Sequence, residues 1–113
     1  MDRIVEKTLL YDFYGELLTD HRREIYEEVV FNDMSLSEAA EEYGVSRQGI
    51  HDMIRRCDLA MEAYEEKLHL VRQAETVKKT VLLLQKKLDE TGMDGEKRKE
   101  LKQLTEQIMQ EME

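Results

Sequence analysis

Large apolar residues recur along this chain at intervals of three and four, the spacing that lines one side of an α-helix. Between residues 3 and 18 they are Ile4, Leu9, Leu10, Phe13, Tyr14, Leu17 and Leu18, a broad stripe that predicts a first helix. Thr19 or Asp20 can cap a second, with Arg22 and Arg23 in its first turns, Ile25, Tyr26, Val29 and Val30 on its buried side, and Asn32-Asp33 closing it. A third helix begins at Ser35 or Ser37, Ser35 forming a capping box with Glu38 three places later, and its inward residues are Leu36, Ala39, Ala40 and Tyr43. Gly44 supplies the left-handed conformation that ends it. Ser46 caps a fourth helix with Ile50, Met53, Ile54 and Cys57 inward. No breaker follows Cys57, and the pattern continues through Met61, Tyr64, Leu68 and Val71, so this helix is expected to run well past its first turns.

Farther on, Val77, Val81, Leu84 and Leu88 alternate steps of four and three, and Leu101, Leu104, Ile108 and Met112 do much the same. Thr91-Gly92-Met93-Asp94-Gly95 between them is the clearest turn signal in the chain. Two narrow stripes on either side of a turn predict an antiparallel helical hairpin in which each seam satisfies the other, with homodimerisation as a second use of the same surface. The expected fold class is all-α: a helix-turn-helix domain over residues 1–72 with a long fourth helix, then a C-terminal helical hairpin over 73–113 packed as part of the same body.

Composition agrees. Of 113 residues 38% are charged and none is proline, which favours long uninterrupted helices. The opening Met1-Asp2-Arg3-Ile4-Val5-Glu6 lacks the apolar core of a signal peptide, and the longest apolar run, Val81 to Leu84, is too short to span a bilayer, so no membrane insertion is expected. The single cysteine, Cys57, has no internal disulfide partner and suits a reducing compartment, hence a cytoplasmic expectation. Charge changes the picture more. The formal net charge is -9. Residues 1–45 hold four basic and twelve acidic side chains, residues 46–72 five of each, and residues 73–113 eight basic and nine acidic. The acidic excess therefore precedes the fourth helix, the one region that would not repel an approaching polyanion.

The segment Ser35 to Cys57 carries the most informative chemistry. A short capped helix, a glycine turn and a second capped helix make a helix-turn-helix, whose second helix lies in the major groove of DNA when the motif reads sequence. With Ile50 and Ile54 inward, its outward face presents Arg47, Gln48, His51, Asp52 and Arg55. Arginine can make a bidentate contact to guanine and glutamine one to adenine. The same face also fits a plain solvated surface, or a scaffold that docks protein. Gly49 is a weak helix former there. Specific binders neutralise about 6–10 phosphates, and the candidates are only Arg47, Arg55 and Arg56, joined by Arg22 and Arg23 if the second helix flanks the backbone. No catalytic chemistry is expected: His21, His51 and His69 lack the spacing of a helical zinc site, and neither a glycine-rich phosphate loop nor a nucleophile motif occurs. No metal and no cofactor is expected. Cys57 continues the Ile50–Ile54 stripe and is expected in the core, as are Met34, Met53 and Met61, whereas Met109 and Met112 are expected partly exposed.

The run LLYDFYGELLT, then LSEAAEEYGVSRQGIHDMIRRC and YEEKLHL, resembles the YlxM family of small bacterial helix-turn-helix proteins over about residues 4–70. Members look like the DNA-binding region 4 of sigma factors and are associated with the signal recognition particle pathway. The resemblance implies a non-enzymatic regulatory protein that binds nucleic acid (DNA or a small RNA), with the particle's GTPase subunit as a protein partner. It places the family's motif helix on Ser46, Arg47, Gln48, Ile50, Arg55 and Arg56, and departs at Gly49, where a better helix former is common. Two further readings stay open beside it: a protein adaptor that uses the motif as a scaffold, and a sequence-specific transcription regulator.

Overall fold

The computed structural model describes residues 3–92 and 94–112. Met1 and Asp2 of the opening segment, and Met93 of the expected turn, lie outside the described residues. Among the described residues the chain is all helix with no strand, and it divides into two units, Met1–His69 and Leu70–Glu113.

The first unit begins with α1 (Arg3–Tyr14), which stops four residues short of the expected end and continues as a single 3-10 turn over Gly15–Leu17. The cause is local. The Tyr11 ring lies directly on Gly15, where a Cβ would stand 2.8 Å from a ring carbon, so only glycine lets the chain tighten there. Leu10, Tyr14 and Leu18 are buried, whereas Ile4 and Leu17 of the expected stripe face solvent. Thr19 caps α2 (Asp20–Tyr26) by accepting a hydrogen bond from the Arg22 N–H.

After Tyr26 the helix widens into a π-turn over Glu27–Phe31, with the Asn32 N–H donating to the Glu27 carbonyl at 3.0 Å. The wider turn leaves Phe31 against Tyr11 and Tyr26, with ring centroids 5.2 and 5.8 Å away. Ser35 caps α3 (Leu36–Tyr43) through the Glu38 N–H at 3.0 Å, and Gly44 ends it at φ 68°. Ser46 then caps α4 (Arg47–Leu68) through the Gly49 N–H at 2.9 Å.

Ile25 of α2, Ala39 of α3 and Ile50 of α4 meet at the centre of the motif, surrounded by Val29, Met34, Leu36, Ala40, Tyr43, Met53 and Ile54. Cys57 and Met61 are fully buried farther along α4, as their place in the stripe requires. Three tyrosine hydroxyls bind α1 and α2 to carboxylates: Tyr11 donates to Glu27, Tyr14 to Glu65 at 2.6 Å, and Tyr26 to Asp58 at 2.5 Å. Asp58 also holds Lys7 at 3.1 Å. Such charge-assisted bonds are roughly twice as strong as neutral ones. Together they tie α1 to α4 and to the π-turn, and α2 to α4.

His69, at φ 57°, closes α4 in the left-handed region, so the two units divide at His69–Leu70. The second unit is α5 (Leu70–Glu90) and α6 (Glu96–Glu111). Gln85 donates to the Thr105 hydroxyl at 2.9 Å, and Asp89 receives Arg98 and Lys102, so the two helices run antiparallel. The inward residues include Val81 and Thr105. This corrects the expected seam. Leu104 and Ile108 lie exposed beside the contact rather than in it, as do Val77 and Leu84. The polar contacts of Gln85 and Asp89 set the rotation of α6, turning Thr105 inward in place of the leucine before it.

Candidate nucleic-acid interface

The α3–α4 pair has the build of a helix-turn-helix, and both of its helices begin on serine caps that satisfy otherwise unpaired N–H groups. Because Ile50, Met53, Ile54 and Cys57 are drawn into the core, the opposite side of α4 must face outward, and there Arg47, Gln48, His51, Asp52 and Arg55 are all exposed. Arg47, Gln48 and His51 share a shallow depression with Leu36 at the start of α3. His51 and Arg55 also line a groove of 470 Å³ between α1 and α4.

Arg56 is exposed too, but lies about 100° around the helix from Arg55, so it would meet a different strand or none. Arg22 is exposed on α2, and its charge reaches the Cys57 thiol, pulling its pKa down while burial pushes it up more strongly. Arg23 is half-buried, and the neighbouring Tyr11 hydroxyl holds its guanidinium above the ordinary arginine range. Of the seven residues singled out, the structure thus gathers Arg47, Gln48, His51 and Arg55.

Asp52 borders this face, about 40° beyond Gln48 around the helix. Its carboxylate accepts a hydrogen bond from Gln48 at 2.9 Å and lies 3.7 Å from the His51 Nδ1. It therefore occupies the amide best suited to adenine and places a negative charge where phosphate would approach. Gly49 has a local explanation as well: a Cβ there would stand 3.2 Å from the Ser46 hydroxyl that caps the helix.

Two further cations escaped the sequence reading. Arg3 and Lys7 of α1 line the same groove as His51 and Arg55. Their signal was a basic pair spaced i, i+4 on the first helix, but nothing in the pattern tells which face of α1 lies along α4. Glu6, Asp58 and Glu62 line that groove too, so it is not a purely basic channel.

A model of the family described as "Putative helix-turn-helix protein, YlxM / p13 like" (UPF0122) matches residues 1–108. The chain belongs to this family. A UPF0122 protein of Thermoanaerobacter sp. (strain X514) is 39% identical over 112 residues, covering 99% of this chain and 95% of the relative. A UPF0122 protein of Caldanaerobacter subterraneus subsp. tengcongensis is 48% identical over 80 residues, 71% of this chain and 68% of its own. A third, from Bacillus cereus (strain AH187), is 35% identical over 108 residues and 96% of each chain. The family match extends well beyond residue 70, where the resemblance read from the sequence stopped, and takes in most of the hairpin as well. Among the described residues no helix is long and apolar enough to cross a membrane.

Proposed function

We propose that this protein is a non-enzymatic regulatory factor of the cytoplasm that contacts nucleic acid through the first three turns of α4. Arg47 and Arg55 supply phosphate or guanine contacts, Gln48 and His51 polar contacts to base edges, and Arg56 and Arg22 further cations on the flanks. The observation that carries this reading is the capped, exposed polar face of α4 on a helix-turn-helix core, set in a charge-balanced stretch that follows the acidic residues 1–45.

The finer reading assigns the protein to the signal recognition particle pathway, with the particle's small RNA and its GTPase subunit as partners. Its support is the resemblance described above and the charge of residues 1–45, an acidic surface suited to a basic RNA-binding protein. Few cations on one chain argue for a composite target, in which RNA meets α4 while protein meets the acidic helices. A pair of chains would double the number of basic helices on one target.

The experiment is capture of the tagged protein from cytosol with and without nuclease, followed by binding of the purified protein to the particle's RNA alone, its GTPase subunit alone, and both together. The composite reading expects binding to the assembled particle that weakens after nuclease and with Arg47→Ala. Retention that ignores nuclease favours a pure protein adaptor. Binding only to duplex DNA of defined sequence favours a transcription regulator.

A further inference from the structure

The hairpin leaves one of its faces apolar, and the geometry shows which. Val81 and Thr105 mark the lines along which α5 and α6 touch, with relative exposures of only 4% and 2%. At about 100° per residue, Val77 and Leu84 lie about 40° and 60° to one side of Val81 on α5. Leu104 and Ile108 lie about 100° and 60° to the same-handed side of Thr105 on α6. In two antiparallel helices, offsets of the same hand fall on the same side of the pair. All four side chains therefore share one face, and they are exposed by 37%, 45%, 54% and 40%. The pairing of Gln85 with Thr105 and of Asp89 with Lys102 puts Leu84 between Leu104 and Ile108 in height, with Val77 about one and a half turns farther along.

We propose that this face, built on Val77, Leu84, Leu104 and Ile108, docks onto the same face of a second copy of this chain, the two hairpins forming a four-helix bundle. Charge selects a second copy as the occupant. Residues 73–113 are nearly neutral, with eight basic and nine acidic side chains, whereas residues 1–45 carry the acidic excess that would keep two copies apart elsewhere. The rim of the face carries charges of both signs. By the same helical geometry, Lys87 borders it on α5, and Glu100 and Glu111 border it on α6, with Lys97 at the turn end of α6. A two-fold pairing that lays α5 of one copy on α6 of the other brings each lysine toward a glutamate, the device by which flanking charges choose partners in helical bundles. The footprint is roughly 24 Å by 20 Å, from a 16-residue helix and two helix widths. That is at the small end of specific interfaces, so the pairing is a weak one that responds to concentration.

Sedimentation equilibrium of the full chain from about 1 to 500 μM tests this (concentrations chosen to span weak association). The mass is expected to rise toward twice the 13.4 kDa of one chain. Leu84→Lys or Ile108→Lys should shift the midpoint at least tenfold upward with helix content unchanged by circular dichroism, because both positions are exposed within one chain. Lys87→Glu should weaken association, and adding Glu100→Lys and Glu111→Lys should restore it. A chain that stays monomeric throughout, a dimer indifferent to Leu84→Lys and Ile108→Lys, or charge reversals that never compensate each overturn the proposal.

Discussion

Replacing Asp52 by asparagine should make this protein a better nucleic-acid binder. The residue stands exposed beside Gln48 and His51 at the edge of the face, so a phosphate held near those two side chains approaches its carboxylate. With carboxylate and phosphate about 6 Å apart in water, the repulsion is about 0.7 kcal/mol, and screening at 0.1 M salt leaves about 0.4 kcal/mol. Asp52→Asn should therefore tighten binding about two- to threefold, and most at low salt. The Gln48 contact survives in kind, because the asparagine carbonyl can accept the same hydrogen bond. Arg55→Ala works in the opposite direction. Three arginines on α4 predict a log–log salt slope of about -2.7 on duplex DNA or about -2.1 on a single strand, and losing one should lower its magnitude by about 0.7–0.9. Between 50 and 200 mM salt the native chain should lose roughly 40-fold on duplex or about 20-fold on a single strand. Fluorescence anisotropy with a labelled RNA hairpin and a labelled duplex, titrated at several salt concentrations, measures all of these. A gain of affinity is hard to obtain by damaging a protein, which gives the Asp52 arm its force. Binding that is present but indifferent to both substitutions would place the contact elsewhere, and absence of binding at 50 mM salt would end the nucleic-acid reading.

Three other outcomes follow from the packing of the first unit. Tyr26→Phe removes the donor to Asp58 from a fully buried ring, and should cost about 1–3 kcal/mol in urea unfolding; a loss below about 0.3 kcal/mol would mean water serves Asp58 as well. Gly15→Ala gains helix propensity of about 0.5–1 kcal/mol but drives a methyl group into the Tyr11 ring, which stacks on Tyr26 with centroids 5.4 Å apart, so the net effect should be destabilisation of about 1–3 kcal/mol. A stabilised variant would show that the ring yields freely. Stability should also fall in alkali. Burial first, then the bond to Asp58, raises the Tyr26 pKa, and burial with Glu27 does the same to Tyr11. A pKa raised in the folded state leaves its contribution intact below the unfolded value of about 10 and removes it as pH rises further, by about 1.4 kcal/mol per pH unit for a tyrosine that stays protonated. Urea midpoints between pH 9 and 11.5 should drop accordingly, and less steeply in Tyr26→Phe; a flat profile would contradict the burial of the phenol.

The motif could be read from the chain because local rules decide it. Ser35, Gly44 and Ser46 act on their nearest backbone neighbours, and the Ile50–Ile54–Cys57 stripe has one buried side whatever else surrounds it. Where the reading failed, something distant was in command. The stripe from Ile4 to Leu18 carries a helix straight through Gly15, and the Tyr11 ring lying over that glycine is what tightens the chain there. The π-turn before Asn32 answers to aromatic packing around Tyr11 and Tyr26, which periodicity does not encode. The α6 stripe was misjudged because hydrophobicity alone was counted, whereas Gln85 with Thr105 and Asp89 with Lys102 fix the rotation.

The candidate site shows the same division, and there it bears on function. Which side of α4 faces outward was legible, since the core residues leave no choice. What that side can bind was not, because its charge depends on neighbours. Asp52 is one residue along from His51, but only the structure shows it holding Gln48 as well as standing near the imidazole. Arg23, a candidate flank contact, lies beside the Tyr11 hydroxyl, while Arg3, not among the candidates, shares a groove with Arg55. Few cations remain to an α4 face that must also accommodate an anion. Phosphate contacts set affinity and base contacts set sequence preference, so a face with few of the first and a carboxylate among the second cannot hold bare DNA tightly by itself. Tight association then requires a second surface. The acidic helices of the first unit would provide one if the partner is a basic protein that already carries RNA, which is why the composite target is the reading proposed above.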